Sequence, residues 1–545
     1  MSELKFLLPP RRIPAKVFGT VTYIGFFVFV FALPFGYSTT FLNIGLSLVL
    51  FGWVGRIVSE RKLGWRPTPL DLPIALFLGS ALIASLFAPH PSTSSLGYFW
   101  KLLRAILLFY AVVHSRLGNQ WRHIVIAFIA AAGISATLGV WYYANDTRLA
   151  LDFMGRIGLQ FQEEFTAAEG FSDELRAELR TCRVPLSETA FHLTDRNPSA
   201  QPDTWRIDDP ARDRRYTVRP GETHLMVYMI EQRLTGTFKM PNDLGAYLAL
   251  SLPCVIGYFT VALIAISGQR SAVGKTTNPP SVGAVSNRTG AECLMNAKAS
   301  YITLILGIIS ALMNINLVLT LTRAAWVSVT LAIMFSLSYL ALSTLSTTIS
   351  WKRGLLALAL MSIVGGVLLL NTNTRQGLTH LVPRHIKTRF QTMITHPTGF
   401  MSERPQWWLM SLQFIRQYPL TGIGPGRFRY EYQLNGPPEQ YDTPYHAHNV
   451  YLHIAAEQGI PSLFLFLWIV AIICRSVCDM RHTTDFWGRG TFIGASGFLI
   501  SALVYGLADN ILHQRTVLLF WFIIGIIFYS QLSEDPKYEE NADTG

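Results

Sequence analysis

An all-α polytopic membrane protein of about twelve transmembrane helices is the fold class this sequence predicts, and three observations predict it. Half of the 545 residues are hydrophobic and only 14% are charged, against roughly 25% charged in a soluble domain. Apolar runs of about 20 residues recur from end to end, each long enough to cross a hydrocarbon core of about 30 Å. Backbone groups in lipid must be satisfied within the segment, and the ten-residue alternation of a barrel is absent, so these runs are helices.

In chain order the runs fall at 17–35, 39–58, 70–88, 97–114, 121–143, 243–267, 300–320, 324–344, 355–370, 461–478, 491–509 and 516–531. From an inside start, alternate connections carry Arg56, Arg61, Lys62 and Arg66; Arg116 and Arg122; Arg270, Lys275, Arg288 and Lys298; Lys352 and Arg353; Arg475, Arg481 and Arg489. Basic connections stay in the cytoplasm, so both termini are expected inside. The same distribution accounts for the formal charge of +11 without nucleic acid. Lys5, Arg11, Arg12 and Lys16 read as a cytoplasmic anchor, with no cleavable-signal pattern after them. Trp100, Trp121, Trp141, Tyr142, Tyr143, Trp351 and Trp521 fall near run ends, where interfacial belts form.

The organisation that follows is a first membrane part over 1–143 and an outer loop over 144–242. A second membrane part covers 243–370, interrupted by a Gly-, Ser- and Asn-rich cytoplasmic linker at 268–298. A second outer loop runs over 371–460, and 461–545 holds the last three helices and a cytoplasmic tail. The first loop mixes both signs of charge, with helical spacing around 172–181. Cys182 is the one cysteine expected on the oxidising side, so no intrachain disulfide is available there. Cys474 and Cys478 share a helix face and read as packing, since no further ligand completes a tetrahedral site.

The chemistry-bearing residues concentrate in the second loop. It holds His446-Ala-His448-Asn449, then nine residues, then Gly459-Ile-Pro-Ser leading into an apolar helix. Upstream stand Arg404-Pro-Gln-Trp407-Trp408 and the turn Gly422-Ile-Gly424-Pro-Gly426. No strand precedes that turn, so it reads as a tight turn and not as a phosphate-cradling fingerprint. Arg233-Leu-Thr-Gly236 and Asn242 precede the sixth run, and Thr322-Arg323-Ala-Ala-Trp326 opens the eighth. Lys101 and Arg104 lie three apart inside the fourth run, in its outer half. Ionisable groups there cost several kcal/mol unless they meet water, a partner or a ligand.

This ordered set resembles the O-antigen ligase and polymerase superfamily of bacterial envelope glycan assembly, in detail from about 230 to 480. Ser462 is a departure, standing where many relatives have a second Gly, and a packing consequence is expected. The resemblance implies a helical, GT-C-like glycosyltransferase in the inner membrane, acting at the periplasmic face without a metal or other cofactor. It also implies an undecaprenyl-diphosphate-linked glycan donor. The acceptor would be lipid A-core or another glycan, or a protein hydroxyl, and the motif set reads most like the ligase branch. A transporter of small anions is the reading from a different class, but no inverted repeat supports it.

Residue chemistry leads to the same site. Glycosyl transfer from a diphosphate needs a base for the acceptor hydroxyl, and histidine suits that work near neutrality. His448 is the expected base, with Asn449, His446, Trp408, Asn242 and Gly459 in support, and His453 structural. The leaving diphosphate needs positive charge, and arginine meets phosphate oxygens bidentately. Neither outer loop contains Asp-x-Asp, so Arg233, Arg323 and Arg404 are the expected diphosphate ligands, joined by Lys101 and Arg104.

Overall fold

The computed structural model describes residues 14–36, 38–61, 65–89, 93–145, 192–194, 205–209, 214–218, 234–238, 240–273, 285–345, 404–436 and 446–533. The helices are α1 (Ala15–Ala32), α2 (Thr39–Glu60), α3 (Asp71–Phe87), α4 (Thr93–His114), α5 (Trp121–Asn145), α6 (Pro241–Val273), α7 (Val285–Leu319) and α8 (Arg323–Leu345). They are followed by α9 (Arg404–Gln417), α10 (Phe428–Asn435), α11 (Val450–Asp479), α12 (Phe486–Gly506) and α13 (Gln514–Ser533). Among the described residues, nine helices are long and apolar enough to cross a membrane. The chain is a multi-pass, helical membrane protein. The expected run at 355–370 and the helical spacing at 172–181 lie outside the described residues.

At the centre stands α13, apolar on every face and packed against α4, α6, α11 and α12. A helix that is apolar all round belongs inside a bundle. Trp521 was expected in an interfacial belt; instead it is 1% exposed, edge-on to Phe109 of α4 at 5.8 Å. Trp121 is buried too, against Trp487. Aromatic area was available to the core at both positions, and packing took it, whereas Trp100 and Trp141 stay exposed.

Helix pairs approach closely through small residues, as lipid-embedded interfaces require. α1 and α2 pair as a hairpin in which a Cβ on Gly25 would stand 2.7 Å from the Val49 nitrogen. Where α6 crosses α12, Gly257 faces Gly494, and a Cβ on Gly257 would enter the Gly494 backbone.

Two connections differ from expectation. The linker at 268–298 is largely helical, because α6 continues to Val273 and α7 begins at Val285. Ala291, Glu292, Leu294, Met295 and Lys298 are strong helix formers, and they carry α7 beyond the length a bilayer core demands. The connection expected at 144–242 contains a three-stranded antiparallel sheet, β1 (His192–Thr194), β2 (Trp205–Asp209) and β3 (Arg214–Val218), in that order. Its β2–β3 register sets Trp205 opposite Val218 and Asp209 opposite Arg214.

Candidate active site

The connection expected at 371–460 is more helical than its sequence suggests, since α9, α10 and the first turns of α11 all lie within it. α11 begins at Val450 and is broken at Gly459, whose φ of 84° and ψ of 166° only glycine adopts readily. Pro461 has no N–H to return to the Glu457 carbonyl. The turn at 422–426 repairs the break: the N–H groups of Ile423 and Gly424 donate to the carbonyls of Ala456 and Glu457, both at 2.9 Å. In return Ile460 N–H donates to the Pro419 carbonyl at 2.8 Å. The Glu457 carboxylate, 2% exposed, accepts from Gly426 and Phe428 N–H at 2.7 and 3.0 Å and also faces His453. The Gly-rich segment is therefore a brace for the kink, as a tight-turn reading requires. Ser462 ties α11 to α3, with its hydroxyl 2.9 Å from that of Ser80.

Asn449 caps α11, its side-chain oxygen accepting from the N–H groups of Tyr451 and Leu452 at 3.0 Å each. Its amide donates to the Leu507 carbonyl at 3.1 Å, which fastens the cap to the α12–α13 connection. That contact brings Asp509 to His448, which has a positive φ of 46°. Such a backbone conformation in a non-glycine residue marks stored strain. His448 Nδ1 lies 3.1 Å from Asp509 Oδ1, and Tyr505 Oη donates to Oδ2 at 3.2 Å. The Trp407 ring stacks on the His448 imidazole with centroids 4.7 Å apart.

Burial alone would raise the Asp509 carboxyl, but the His448 ring with its hydrogen bond, His446 and Arg404 outweigh it and hold Asp509 well below the usual carboxylate range. His446 accepts from the His448 N–H at 3.3 Å, and burial, with the neighbouring His448, pushes its own pKa well down. His513 faces the His446 ring at 5.1 Å and is lowered to about 4, by burial first and then by His453. An ionised carboxylate thus sits near His446 and His513, in both of which burial disfavours the charged form. The ligand atoms of His446, His448 and Asp509 lie within 4.8 Å of one another, close enough to share a cation. Asp509 already accepts from His448, Tyr505 and the Asn510 N–H, which favours proton chemistry.

The remaining expected residues gather unevenly. Asn242 is next to the cluster, with its side-chain oxygen 3.3 Å from the Thr322 hydroxyl and its carbonyl 3.5 Å from Tyr505 Oη. Arg323 follows Thr322 directly, and the charge of Arg404 acts on both Asp509 and Tyr505. Lys101 lies over the Tyr98 ring at 4.3 Å, and its charge reaches His513. Arg104 is turned to α2, where it donates to Asn43 at 3.1 Å, a structural engagement. Arg233 lies outside the described residues. Trp407, not Trp408, covers the His448 ring.

Sequence reasoning missed Asp509, Tyr505, His513 and Trp407. One signal was available: Asp509 is the only acid between 486 and 533, at the end of an apolar run. An ionisable group in that position is a functional candidate by default.

Residues 308–467 match the family model described as O-antigen ligase. Over that stretch, 160 of the 545 residues, the chain is similar to the O-antigen ligase family. The match spans α8, α9, the Gly turn, the His446–Asn449 segment and the first half of α11. The likeness supports a glycosyltransferase of the ligase or polymerase type in general. No curated protein matches the chain.

Proposed function

We propose that this protein transfers a glycan from undecaprenyl diphosphate to an acceptor sugar hydroxyl, lipid A-core first among candidates, at the periplasmic face of the bacterial inner membrane. The observation that carries the proposal is the His448–Asp509 pair at 3.1 Å, buried at the junction of α11 and α12 beside Arg404. A proton on Nδ1 satisfies the carboxylate and leaves the Nε2 lone pair free, the tautomer a general base needs.

In this reading His448 Nε2 takes the acceptor hydroxyl proton as that oxygen attacks the anomeric carbon. The C1–O bond to the diphosphate breaks, and undecaprenyl diphosphate departs with the electron pair. Asp509 stabilises the imidazolium so formed, as an acid behind a histidine does in hydrolases. Arg404 and Arg323, joined by Arg233, offset the charge on the leaving group without a metal. The single displacement inverts the anomeric centre, whereas retention would want a carboxylate nucleophile. The basic residues of the α6–α7 and α11–α12 links support a reading with those links inside and the His448 cluster outside.

The test is transfer by purified protein in nanodiscs from an undecaprenyl-diphosphate glycan to lipid A-core, with the new linkage read by NMR. An inverted linkage formed in the presence of a chelator is expected. A retained linkage, or a strict requirement for a divalent metal, would overturn the mechanism.

A further inference from the structure

The helix that covers the base carries three faces. Trp407, Met410, Ser411 and Phe414 of α9 are buried against the protein, on the side that stacks on His448. On the opposite side Leu409 and Leu412 are 62% and 51% exposed, and Leu420, just past the helix, is 74% exposed. Between these two faces runs a separate exposed stripe of Gln406, Gln413 and Gln417. Spacings of three, four and seven residues put each set on one side of a helix.

The leucine face does not stand alone. Ile460 N–H donates to the Pro419 carbonyl at 2.8 Å, so Leu420 lies beside the kink of α11. From that point the outward side of α11 continues through Ile460, Phe464 and Leu467, with Phe464 67% exposed. α11 is a candidate membrane span, and an exposed apolar side on it faces lipid. The leucines of α9 therefore extend the lipid-facing surface of a membrane helix.

We infer that α9 is an interfacial helix, with Leu409, Leu412 and Leu420 set into the outer leaflet and the glutamines at headgroup level. An interfacial helix buries its apolar face about 5–10 Å into the boundary between headgroups and acyl chains. Arg416, exposed in the last turn on the leucine side, reaches the phosphates along its own apolar stem. Because the other side of the same helix holds Trp407 against His448, the depth of α9 sets the height of the imidazole above the bilayer. A site held at that height suits a reacting bond carried on a membrane lipid. The inference rests on the multi-pass fold and not on which glycan is moved.

Site-specific spin labelling tests it without any transfer assay. Leu412→Cys, Gln413→Cys and Phe464→Cys would each be made in full-length protein lacking the five native cysteines, labelled and reconstituted in nanodiscs of phosphatidylglycerol and phosphatidylethanolamine. Collision with oxygen, which concentrates in lipid, is compared with collision with a water-soluble nickel chelate. The expected result is a label at 412 that resembles the lipid reference at 464, favouring oxygen several-fold more than the label at 413. A label at 412 as open to nickel as that at 413 would overturn the inference, because the face would then be in water. A label at 412 shielded from both reagents would overturn it equally, because another part of the chain would then cover the leucines.

Discussion

Where α6 crosses α12, Gly257 meets Gly494 with no side chain between the two backbones. Just beyond the C-terminal end of the same α12, Asp509 accepts from His448, Tyr505 and its own neighbour's N–H, and Arg404 acts on it from α9. The first region is held by close apposition of small residues, with Tyr258 and Thr491 satisfying each other's hydroxyls across it at 2.8 Å. The second buries an ionised carboxylate, which is tolerable only where donors surround it. Packing in the bundle interior is redundant, spread over many apolar side chains. In the His448–Asp509 cluster each polar group has few replacements, so single substitutions there should act on chemistry more than on folding.

The sharpest break in that contrast would come from His448→Ala. Transfer should fall about 10²–10⁴-fold, measured on purified variant of normal expression and melting temperature. Near-wild-type transfer would remove His448 as the base. His446→Ala should cost less, since His446 accepts from the His448 backbone N–H and lies 3.8 Å from Asp509 without itself taking the acceptor proton.

Asp509→Asn comes next. The isostere keeps volume but withdraws the charge behind the imidazole, and a misplaced or wrongly protonated ring costs about 10²-fold. The loss should fall on kcat with little change in KM, and the pH profile of kcat should move. A loss confined to KM would mean that Asp509 holds substrate and not the ring.

Gly459→Ala addresses the brace. The added Cβ would stand 3.0 Å from the Thr421 nitrogen and closer still to the Leu420 carbonyl, in a backbone conformation that L-residues avoid. The strain costs on the order of 1–3 kcal/mol, read as a lowered melting temperature together with reduced transfer. Unchanged stability would show that the kink tolerates a side chain.

The smallest expected effect concerns pH. His513 is lowered from 6.5 to about 4 in the folded chain, so the unfolded chain takes up the proton first as pH falls. The stability it contributes is complete above the unfolded value and declines as pH drops from 6.5 toward about 4. His513→Gln should flatten this decline by on the order of 1 kcal/mol, visible in melting temperatures across that window. A slope identical to wild type would place the acid sensitivity elsewhere in the cluster.

The helical class, eleven of the twelve runs and the His446–Asn449 segment were legible in the sequence because each is a local signal. A bilayer sets one length for every crossing. Asn449 announces a helix start by its own chemistry, and Gly459 with Pro461 announces a break. What tertiary structure alone decided is which groups meet. Asp509 is 61 residues from His448 and reaches it only because Asn449 grips the Leu507 carbonyl as α11 packs on α12. Trp407 rather than Trp408 covers the imidazole because one step along a helix is a rotation of about 100°, and the buried side of α9 is chosen by what it packs against. Trp521 went to the core by the same rule, since a side chain near a helix end has no preference for the interface until its neighbours are in place.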